Sequence, residues 1–309
     1  MRQGLLWLSE HQGVFNFVRR NGLARRFASR FVAGETIESA VAAARELASR
    51  GITASLDFLG ESVAAEREAV AACEQYVRMI DRMAASGVEV NVSLKLTQMG
   101  LDIDEDLCTR NVTAILERAQ AVSGFVRLDM EGSDYTQRTL DFFRHRLFDR
   151  FGKHCGVVIQ AMLRRSEADV AQLVGMGARV RLCKGAYLEP PTVAFPDKAD
   201  VDKNYVRLME RLLAEGNYPG IATHDEAIIS HARRFVERQR IGADRFEFQM
   251  LYGVRRDLQE QLRRAGFNMR VYIPFGTQWY PYLMRRLAER PANIAFILGN
   301  VVKESVPGL

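Results

Sequence analysis

Short runs rich in β-branched and aromatic residues alternate along the chain with longer stretches in which apolar residues recur every three or four positions. The short runs predict buried strands, and the longer stretches predict amphipathic helices. Strands are predicted at residues 53–58, 88–94, 125–129, 156–160, 179–183, 220–223, 246–250 and 269–273. Helices are predicted at residues 61–85, 109–122, 134–150, 166–176, 202–215, 225–238 and 256–265, and again from Trp279 after breaks at Pro274 and Gly276.

This regular alternation predicts the fold class. Eight strand–helix units within about 250 residues match the number and size of a (β/α)₈ barrel. A doubly wound sheet is the alternative, but the regular units show no obvious switch in strand order, which favours closure. The beginning of the chain shows helical patterns only. The sequence therefore predicts an N-terminal helical extension at residues 1–50 and a TIM-like barrel at residues 51–309.

Polar side chains gather where the predicted strands end. In a barrel of this kind, the chemistry is carried by the carboxyl ends of the strands and by the loops that follow them. The amino ends of the same strands carry mostly Gly, Ala or Arg, and this asymmetry indicates an active-site face, although charges also gather wherever strands reach solvent. The residues at these carboxyl ends are Asp57, Lys95, Asp129, Glu131, Gln160, Lys184, Gly185, Ala186, Tyr187, Thr223, His224, Asp225, Gln249, Leu251, Tyr252 and Tyr272.

The last predicted helix carries a pattern that suits the binding of a small anion. Tyr282, Arg285, Arg286 and Glu289 follow the i, i+3, i+4, i+7 spacing, so their side chains share one face. Two guanidinium groups beside an aromatic ring can hold an anion whose apolar part lies against the ring. An exposed helix with a Glu–Arg surface pair is the simpler interpretation, but the position directly after a strand favours a ligand site.

Arg181 and the loop after it indicate a second set of contacts. Arg181 lies within the fifth predicted strand, where a buried guanidinium would need an anionic or strongly accepting partner. A bound cofactor group or a neighbouring acid such as Asp129 would meet that need. The loop at residues 184–201 is the longest connection and carries three of the eight prolines. Loops of this length in a compact barrel are usually functional.

Composition narrows the class of protein. The 43 basic and 38 acidic residues give a net charge of +5 and are spread along the chain, which argues against nucleic-acid binding and suits an anionic substrate or an acidic membrane surface. The four cysteines and five histidines show no metal-ligand spacing, so no metal is expected. Without an apparent signal peptide or membrane span, the sequence predicts a cytoplasmic protein with reduced thiols, soluble or at most peripheral at a membrane.

Two apparent motifs fail on their context. Gly175 and Gly177 begin like a dinucleotide-binding fingerprint but precede a strand instead of following one, so a helix end and turn is expected there. Asp102, Asp104 and Asp106 begin like a calcium-binding loop, but Leu107 and Thr113 stand where that loop needs Gly and Glu. Acidic residues at the start of a helix explain these three positions better.

Several segments in matching order and spacing identify a family resemblance over nearly the whole chain. The sequence resembles the proline dehydrogenases in their short monofunctional bacterial form. The resemblance implies a distorted (β/α)₈ barrel that binds FAD, oxidises L-proline to Δ1-pyrroline-5-carboxylate and passes electrons to a membrane quinone. A pyrroline-5-carboxylate dehydrogenase is then the expected downstream partner. The matching segments are VSLKLTQ (92–98), VRLDMEG (126–132), 157–164, VRLCKGAY (180–187), ATH (222–224), FEFQMLYG (246–253) and 271–289.

The resemblance also implies a role for each matching site residue. On the substrate side, the proline carboxylate is held by Arg285, Arg286 and Lys95, and Glu289 orients the two arginines. Tyr282 packs on the proline ring, and the pocket is closed by Leu251 and Tyr272. Asp129 supports the pocket near the flavin, and Tyr187 gates it. On the cofactor side, Gln160 and Arg181 face the isoalloxazine ring, with Arg181 near N5. Lys184, Gly185 and Ala186 follow the cofactor backbone, Thr223, His224 and Gln249 contact its ribityl, phosphate or ring atoms, and Lys198 lies at the adenine end.

Two other classes of function remain open from the residues. Lys184 or Lys95 at a strand end could form a Schiff base, which would make the protein a barrel aldolase or lyase without a cofactor. A non-catalytic binding barrel is the third possibility, but it would not need paired arginines, Lys95 and a long loop on one face. The flavoenzyme is therefore the favoured prediction.

Overall fold

Eight parallel strands form a closed barrel in the computed structural model, which describes residues 29–280 and 282–283. The strands are β1 Thr53–Phe58, β2 Asn91–Leu94, β3 Phe125–Leu128, β4 Cys155–Gln160, β5 Arg179–Cys183, β6 Gly220–Ala222, β7 Glu247–Leu251 and β8 Met269–Phe275. Each strand pairs with its neighbours in chain order, and β8 pairs with β1 to close the sheet. The predicted (β/α)₈ barrel is confirmed, and the doubly wound alternative is wrong.

Helices cover the outside of the barrel. They are α1 Ile37–Ser49, α2 Glu66–Ala85, α3 Glu105–Ala121, α4 Ser133–Phe142, α5 Ser166–Gly175, α6 Lys198–Glu215, α7 Glu226–Gln239 and α8 Arg256–Arg264. Each helix from α2 to α8 lies in the crossover between two consecutive strands, which is how parallel strands are joined. α4 continues as a π-helix, Phe143–Phe148, and a last α-helical turn, Asp149–Phe151. None of the helices in the described ranges is long and apolar enough to cross a membrane.

Alternation along the strands sorts the side chains into two compartments. In β2 and β3, Val92, Leu94, Val126 and Leu128 are fully buried between sheet and helices. The alternate positions point into the barrel, because Arg181 of β5 reaches the non-adjacent β2 across the interior. The interior positions are mostly polar: Ser55, Asp57, Ser93, Arg127, Gln160, Arg179, Arg181, Glu247, Gln249, Arg270 and Tyr272. The hydrophobic core therefore lies between the sheet and the surrounding helices, and the barrel interior is filled mostly by polar side chains.

α1 belongs to the same core. Its stripe of buried residues, Ala40, Val41, Ala44 and Leu47, matches the predicted helical pattern, and the helix packs against β1 and β8. A Thr36–Ser39 capping box fixes its first turn. A separate extension ending at residue 50 stays a prediction, since residues 1–28 lie outside the described part of the chain.

Some element boundaries differ from the predictions, most clearly at the starts of two helices and at the end of β8. α3 and α6 each begin four residues before the predicted start. In α3 the added turn begins with Glu105 and Asp106, acidic residues that suit a helix N-terminus, and buries Leu107 and Cys108. β8 continues through Pro274 to Phe275. Pro274 pairs with Asp57 of β1 but lies beyond Tyr272, the last β8 residue in register with β7, so the strand has only one neighbour there and tolerates proline.

The start of α3 gives a test of the prediction that acidic residues stabilise the beginning of this helix. Asp104 caps this helix, and its Oδ1 accepts a hydrogen bond from the Leu107 N–H at 2.6 Å. We expect Asp104→Ala to lower the free energy of unfolding by about 1 kcal/mol, measured as a lower Tm. Asp106→Ala is the control, since Asp106 lies in the same turn without the cap bond; equal Tm values for the two variants would contradict the assignment.

Candidate active site

Arg181, on the interior face of β5, is the centre of a buried hydrogen-bond network at the carboxyl end of the barrel. Its Nη1 donates to Asp129 Oδ1 at 2.7 Å, its Nε to Gln249 Oε1 at 2.5 Å, and its Nη2 to Ser93 Oγ at 3.2 Å. Only 6% of Arg181 is exposed. Of the two partners left open by the sequence, the neighbouring acid is present: Asp129 neutralises the guanidinium.

Asp129 joins this network to β8. Its second oxygen, Oδ2, accepts a hydrogen bond from the Tyr272 hydroxyl at 2.8 Å, and the Arg181 Cζ lies 5.3 Å from the centre of the Tyr272 ring. Burial, with the charges of Asp129 and Asp57 next, raises the pKa of Tyr272 well above its usual value. Tyr272 therefore stays protonated and acts as a fixed hydrogen-bond donor.

Lys95 and Asp57 form a second buried ion pair beside this network. The Lys95 Nζ lies 3.8 Å from Asp57 Oδ1. Burial alone would lower the pKa of Lys95, but the charges of Asp57 and Asp129 outweigh it and raise that pKa; the Tyr187 hydroxyl contributes in the same direction. Lys95 is therefore held as an ammonium ion, close to Asp129 and Tyr187.

Asp57 is a site residue to which the sequence assigned no role. It is 1% exposed, and neither carboxylate oxygen has a hydrogen-bond partner among the described residues. Burial raises its pKa, opposed mainly by Lys95. A buried carboxylate is costly unless it is paired, and Lys95 supplies the counter-charge at 3.8 Å. The one signal available in the sequence was its position at a predicted strand end.

A second group of charges lies around the ends of β5 and β6. The Lys184 Nζ contacts Asp202 Oδ1 at 2.5 Å and Asp225 Oδ2 at 2.9 Å. Lys198, at the start of α6, also pairs with Asp202 and lies 3.9 Å from Asp225. Burial opposes ionisation of the two aspartates, but the lysines outweigh it and lower the pKa of both. The side chain of Lys198 is 75% exposed, so this group reaches from the barrel mouth to the surface.

Thr223 and His224 connect these charges to β7. The Thr223 Oγ1 accepts a hydrogen bond from the Asp225 N–H at 3.1 Å, and His224 Nε2 accepts one from the Leu251 N–H at 3.0 Å. Thr223 is 5% exposed. The structure therefore brings the predicted cofactor residues after β6 next to those of β5 and β7.

The loop between β5 and α6 packs onto the end of β4. Gly185 has φ +110°, and a Cβ at this position would lie 2.4 Å from the Met162 sulfur, so only glycine fits. Ala186 is half-buried, and Tyr187 packs on the small cluster of Met162, Leu163 and Ala194. Gln160 ends β4 and is 2% exposed, with its Nε2 donating to the Glu131 carbonyl at 2.8 Å. These residues line one continuous side of the barrel mouth.

The last helix is described only at its start. Residues 279–280 and 282–283 are helical, and Tyr282 is 4% exposed in a small cluster with Leu59, which follows β1, and Trp279. Tyr282 therefore lies beside the carboxyl end of the barrel. Arg285, Arg286 and Glu289 lie outside the described residues, so the anion-binding face stays a prediction.

The pairing of both lysines argues against Schiff-base chemistry. A lysine that attacks a carbonyl must be a neutral amine. Lys184 is held in ion pairs with two carboxylates, and the charges of Asp57 and Asp129 raise the pKa of Lys95, which favours its ammonium form. Within residues 29–280, no group of histidine, cysteine or acidic side chains is arranged to hold a metal ion.

Fold and site together define a TIM-barrel enzyme whose charged groups are oriented at the carboxyl face, and comparison with known proteins identifies the family. Residues 40–298 match the family model described as proline dehydrogenase. The proline dehydrogenase of Deinococcus radiodurans is 43% identical over 305 residues, 98% of each chain. Proline dehydrogenase 1 of Bacillus subtilis strain 168 is 41% identical over 98% of this chain and 100% of its own length. The chain belongs to the proline dehydrogenase family and has the length of its short, monofunctional members.

Longer proteins share the barrel. The crystal structure of proline utilization A from Bdellovibrio bacteriovorus inactivated by N-propargylglycine superposes with a TM-score of 0.79 at 26% identity, over 90% of this chain and 34% of that one. The bifunctional protein PutA of Escherichia coli is 27% identical over 92% of this chain and 24% of its own length. The present chain therefore corresponds to about a third of the first protein and a quarter of the second, and the similarity confirms the fold of that part.

The Arg181–Asp129 pair gives a test of the network. Asp129→Asn would leave a buried guanidinium without its counter-charge, which we expect to cost about 3 kcal/mol or more in the free energy of unfolding. Tyr272→Phe removes only one neutral donor from the same carboxylate and leaves the ion pair intact, so it should cost less, about 1.5 kcal/mol. Thermal unfolding of both variants checks the difference; similar losses would show that Asp129 does not neutralise Arg181.

Proposed function

We propose that the protein oxidises L-proline to Δ1-pyrroline-5-carboxylate with bound FAD and passes the electrons to a membrane quinone. The observation that carries the proposal is the buried network of Arg181, Asp129 and Gln249 beside the Lys95–Asp57 ion pair, at the face of the barrel where such enzymes bind their ligands. In a chain that belongs to the proline dehydrogenase family, this network supports a flavin and an amino-acid substrate side by side.

The residues at the barrel mouth suit an elongated cofactor with a polar edge. Gln160, Arg181, Thr223 and Gln249 come from or directly follow four consecutive strands, β4 to β7. With neighbouring strands about 4.8 Å apart, they form a row of donors and acceptors about 14 Å long. Three of the five N–H groups of Arg181 are used by described residues, so two remain for a ligand. This donor set fits a flavin ring and its ribityl chain.

The cofactor's phosphates would lie towards the second group of charges. Lys184, Gly185 and Ala186 would follow the cofactor backbone, and Thr223 and His224 would contact its ribityl or phosphate groups. Lys184 and Lys198 are already paired with Asp202 and Asp225, so a diphosphate would exchange with those carboxylates. Lys198 would contact the adenine end.

The chemistry that FAD supplies when bound is the acceptance, at N5, of hydride from the ring carbon next to the proline nitrogen. The chain's own groups have to orient the substrate. Lys95, with Arg285 and Arg286, would hold its carboxylate, and Glu289 would orient the two arginines. Aligning the reacting carbon with its acceptor is a large part of such a barrier.

The remaining walls of the pocket would be apolar and aromatic. Tyr282 would pack on the pyrrolidine ring, while Leu251 and Tyr272 would close the pocket and Tyr187 would gate it. The Tyr272 hydroxyl is fixed by Asp129, so its ring position is set before a substrate enters.

Electron transfer to a membrane quinone implies contact with the membrane. The net charge of +5 would favour the acidic inner face of a cell membrane, so we propose a cytoplasmic protein that associates peripherally. The N-terminal extension could take part, cover the barrel or mediate self-association. The product is a reactive cyclic imine, and a pyrroline-5-carboxylate dehydrogenase is the expected next enzyme.

The experiment that tests the function is the absorbance spectrum of the purified protein before and after anaerobic addition of L-proline. We expect an oxidised-flavin band that bleaches with L-proline, because bound flavin and substrate would then exchange two electrons. Flavin that does not respond to proline would leave the cofactor and reject the substrate. A colourless protein that stays inert after added FAD would reject the flavoenzyme.

The arginine pair gives a quantitative prediction. Charge-assisted hydrogen bonds are worth roughly 1.5–3 kcal/mol each, so Arg285→Ala or Arg286→Ala should lower kcat/KM by about ten- to a hundredfold. The loss should appear mainly in KM, with FAD retained, because the arginines contact the substrate carboxylate. Arg264→Ala on α8, whose side chain is 73% exposed, is the control. If both single variants kept wild-type kinetics with L-proline, Arg285 and Arg286 would not be the residues that bind the substrate carboxylate.

A further inference from the structure

Below the Arg181 network, a third buried ion pair, Arg270–Glu247, lies inside the barrel and has no role in the function proposed above. Glu247, on the interior face of β7, is 2% exposed. Arg270 Nε donates to its two oxygens at 2.9 and 3.0 Å. Burial would raise the pKa of Glu247, but Arg270 and the hydrogen bonds to the carboxylate outweigh it and lower that pKa. Glu247 is therefore a fixed anion that can only accept hydrogen bonds.

Glu247 sets the orientation of the Gln249 amide. Gln249 Nε2 donates to Glu247 Oε1 at 2.5 Å, and Gln249 Oε1 accepts from Arg181 Nε at 2.5 Å. A carboxylate only accepts and a guanidinium only donates, so one orientation of the amide satisfies both neighbours. The reverse orientation would place oxygen against the carboxylate and the NH₂ group against the Arg181 N–H.

Close packing leaves the amide little room to avoid this choice. A Cβ added to Gly220 on the neighbouring β6 would lie 2.4 Å from Gln249 Nε2. The amide therefore occupies the space that a side chain on β6 would take. Its position is fixed by β6, and its orientation is fixed by Glu247.

We propose that Glu247 is a positioning residue for the reaction: by orienting the Gln249 amide, it holds the Arg181 guanidinium in the geometry that leaves two N–H groups for the ligand. Glu247 acts through Gln249 and contacts neither substrate nor cofactor. The inference rests on the proposed function, because the ligand of Arg181 is taken to be the flavin.

The test compares two carboxylates that share Arg270. Glu247→Gln keeps the shape but can both donate and accept, so it no longer forces the orientation of Gln249. Glu89→Gln is the matched control, because Glu89 Oε1 accepts from Arg270 Nη2 at 2.9 Å but lies away from Gln249. Both variants are measured with L-proline as holoenzymes, together with the reduction potential of the bound flavin.

We expect Glu247→Gln to lower kcat by about tenfold, the value of one charge-assisted hydrogen bond, with KM unchanged. The flavin potential should become more negative, because a less well-held cation stabilises the reduced flavin less. Glu89→Gln should keep the wild-type kcat, KM and potential. In a Gln249→Leu background, Glu247→Gln should cause no further loss, since its effect runs through the amide.

Equal behaviour of Glu247→Gln and Glu89→Gln, or full additivity with Gln249→Leu, overturns the proposal. If Glu247→Gln does not fold, Glu247→Asp decides, because the shorter carboxylate keeps the charge beside Arg270 but draws back from Gln249 Nε2: a lower kcat at unchanged KM with a more negative flavin potential supports the proposal, and a wild-type kcat and potential overturn it. If the wild-type protein binds no flavin, or if its flavin is not reduced by L-proline, the proposed function itself is rejected. The inference about Glu247 is then rejected together with it.

Discussion

The burial of the Arg181 guanidinium inside a closed barrel is the constraint on which the rest of the site depends. An ionised group removed from water is tolerated only when counter-charge and hydrogen-bond partners surround it. Those partners come from β2, β3 and β7, and Asp129 in turn accepts the Tyr272 hydroxyl of β8. One charge thereby fixes the relative positions of five strands, and a shift of any of them would leave a buried polar group unmatched.

The chain can keep such an interior because its stability comes from elsewhere. Aliphatic residues on the outer face of every strand pack against the helices. At the amino end, Arg127 and Arg179 place their guanidinium carbons 4.8 and 4.3 Å from the centre of the Phe125 ring, a cation–π arrangement. Burial lowers the pKa of both arginines, and the charge of Glu247 opposes that shift. The Arg127 Nη1 also donates to the Arg179 carbonyl at 2.7 Å. Hydrophobic burial outside the barrel thus compensates for polar burial within it.

The protonation states at the carboxyl face suit a reaction governed by orientation. Lys95 and Tyr272 both have raised pKa values, so they serve as a fixed cation and a fixed donor. Burial also raises the pKa of Asp57, and the charge of Lys95 opposes that shift. A fixed cation and a fixed donor would suit the proposed hydride transfer, in which alignment matters more than a strong acid or base.

The sequence determined the strands, their order, the barrel and the face that carries the polar residues, because hydrophobic periodicity reports local backbone structure and which side of a strand is buried. It also identified Lys95, Asp129, Gln160 and Gln249 as site candidates from their places at strand ends, and Arg181 as a buried guanidinium that needs a partner. The roles taken from the family resemblance remain predictions. Only the tertiary structure decided which groups meet: Arg181 binds Asp129 and Gln249, 52 and 68 residues away, while Asp57 has no hydrogen-bond partner among the described residues. Such pairings depend on strand register and on contacts across the barrel, which no local pattern encodes.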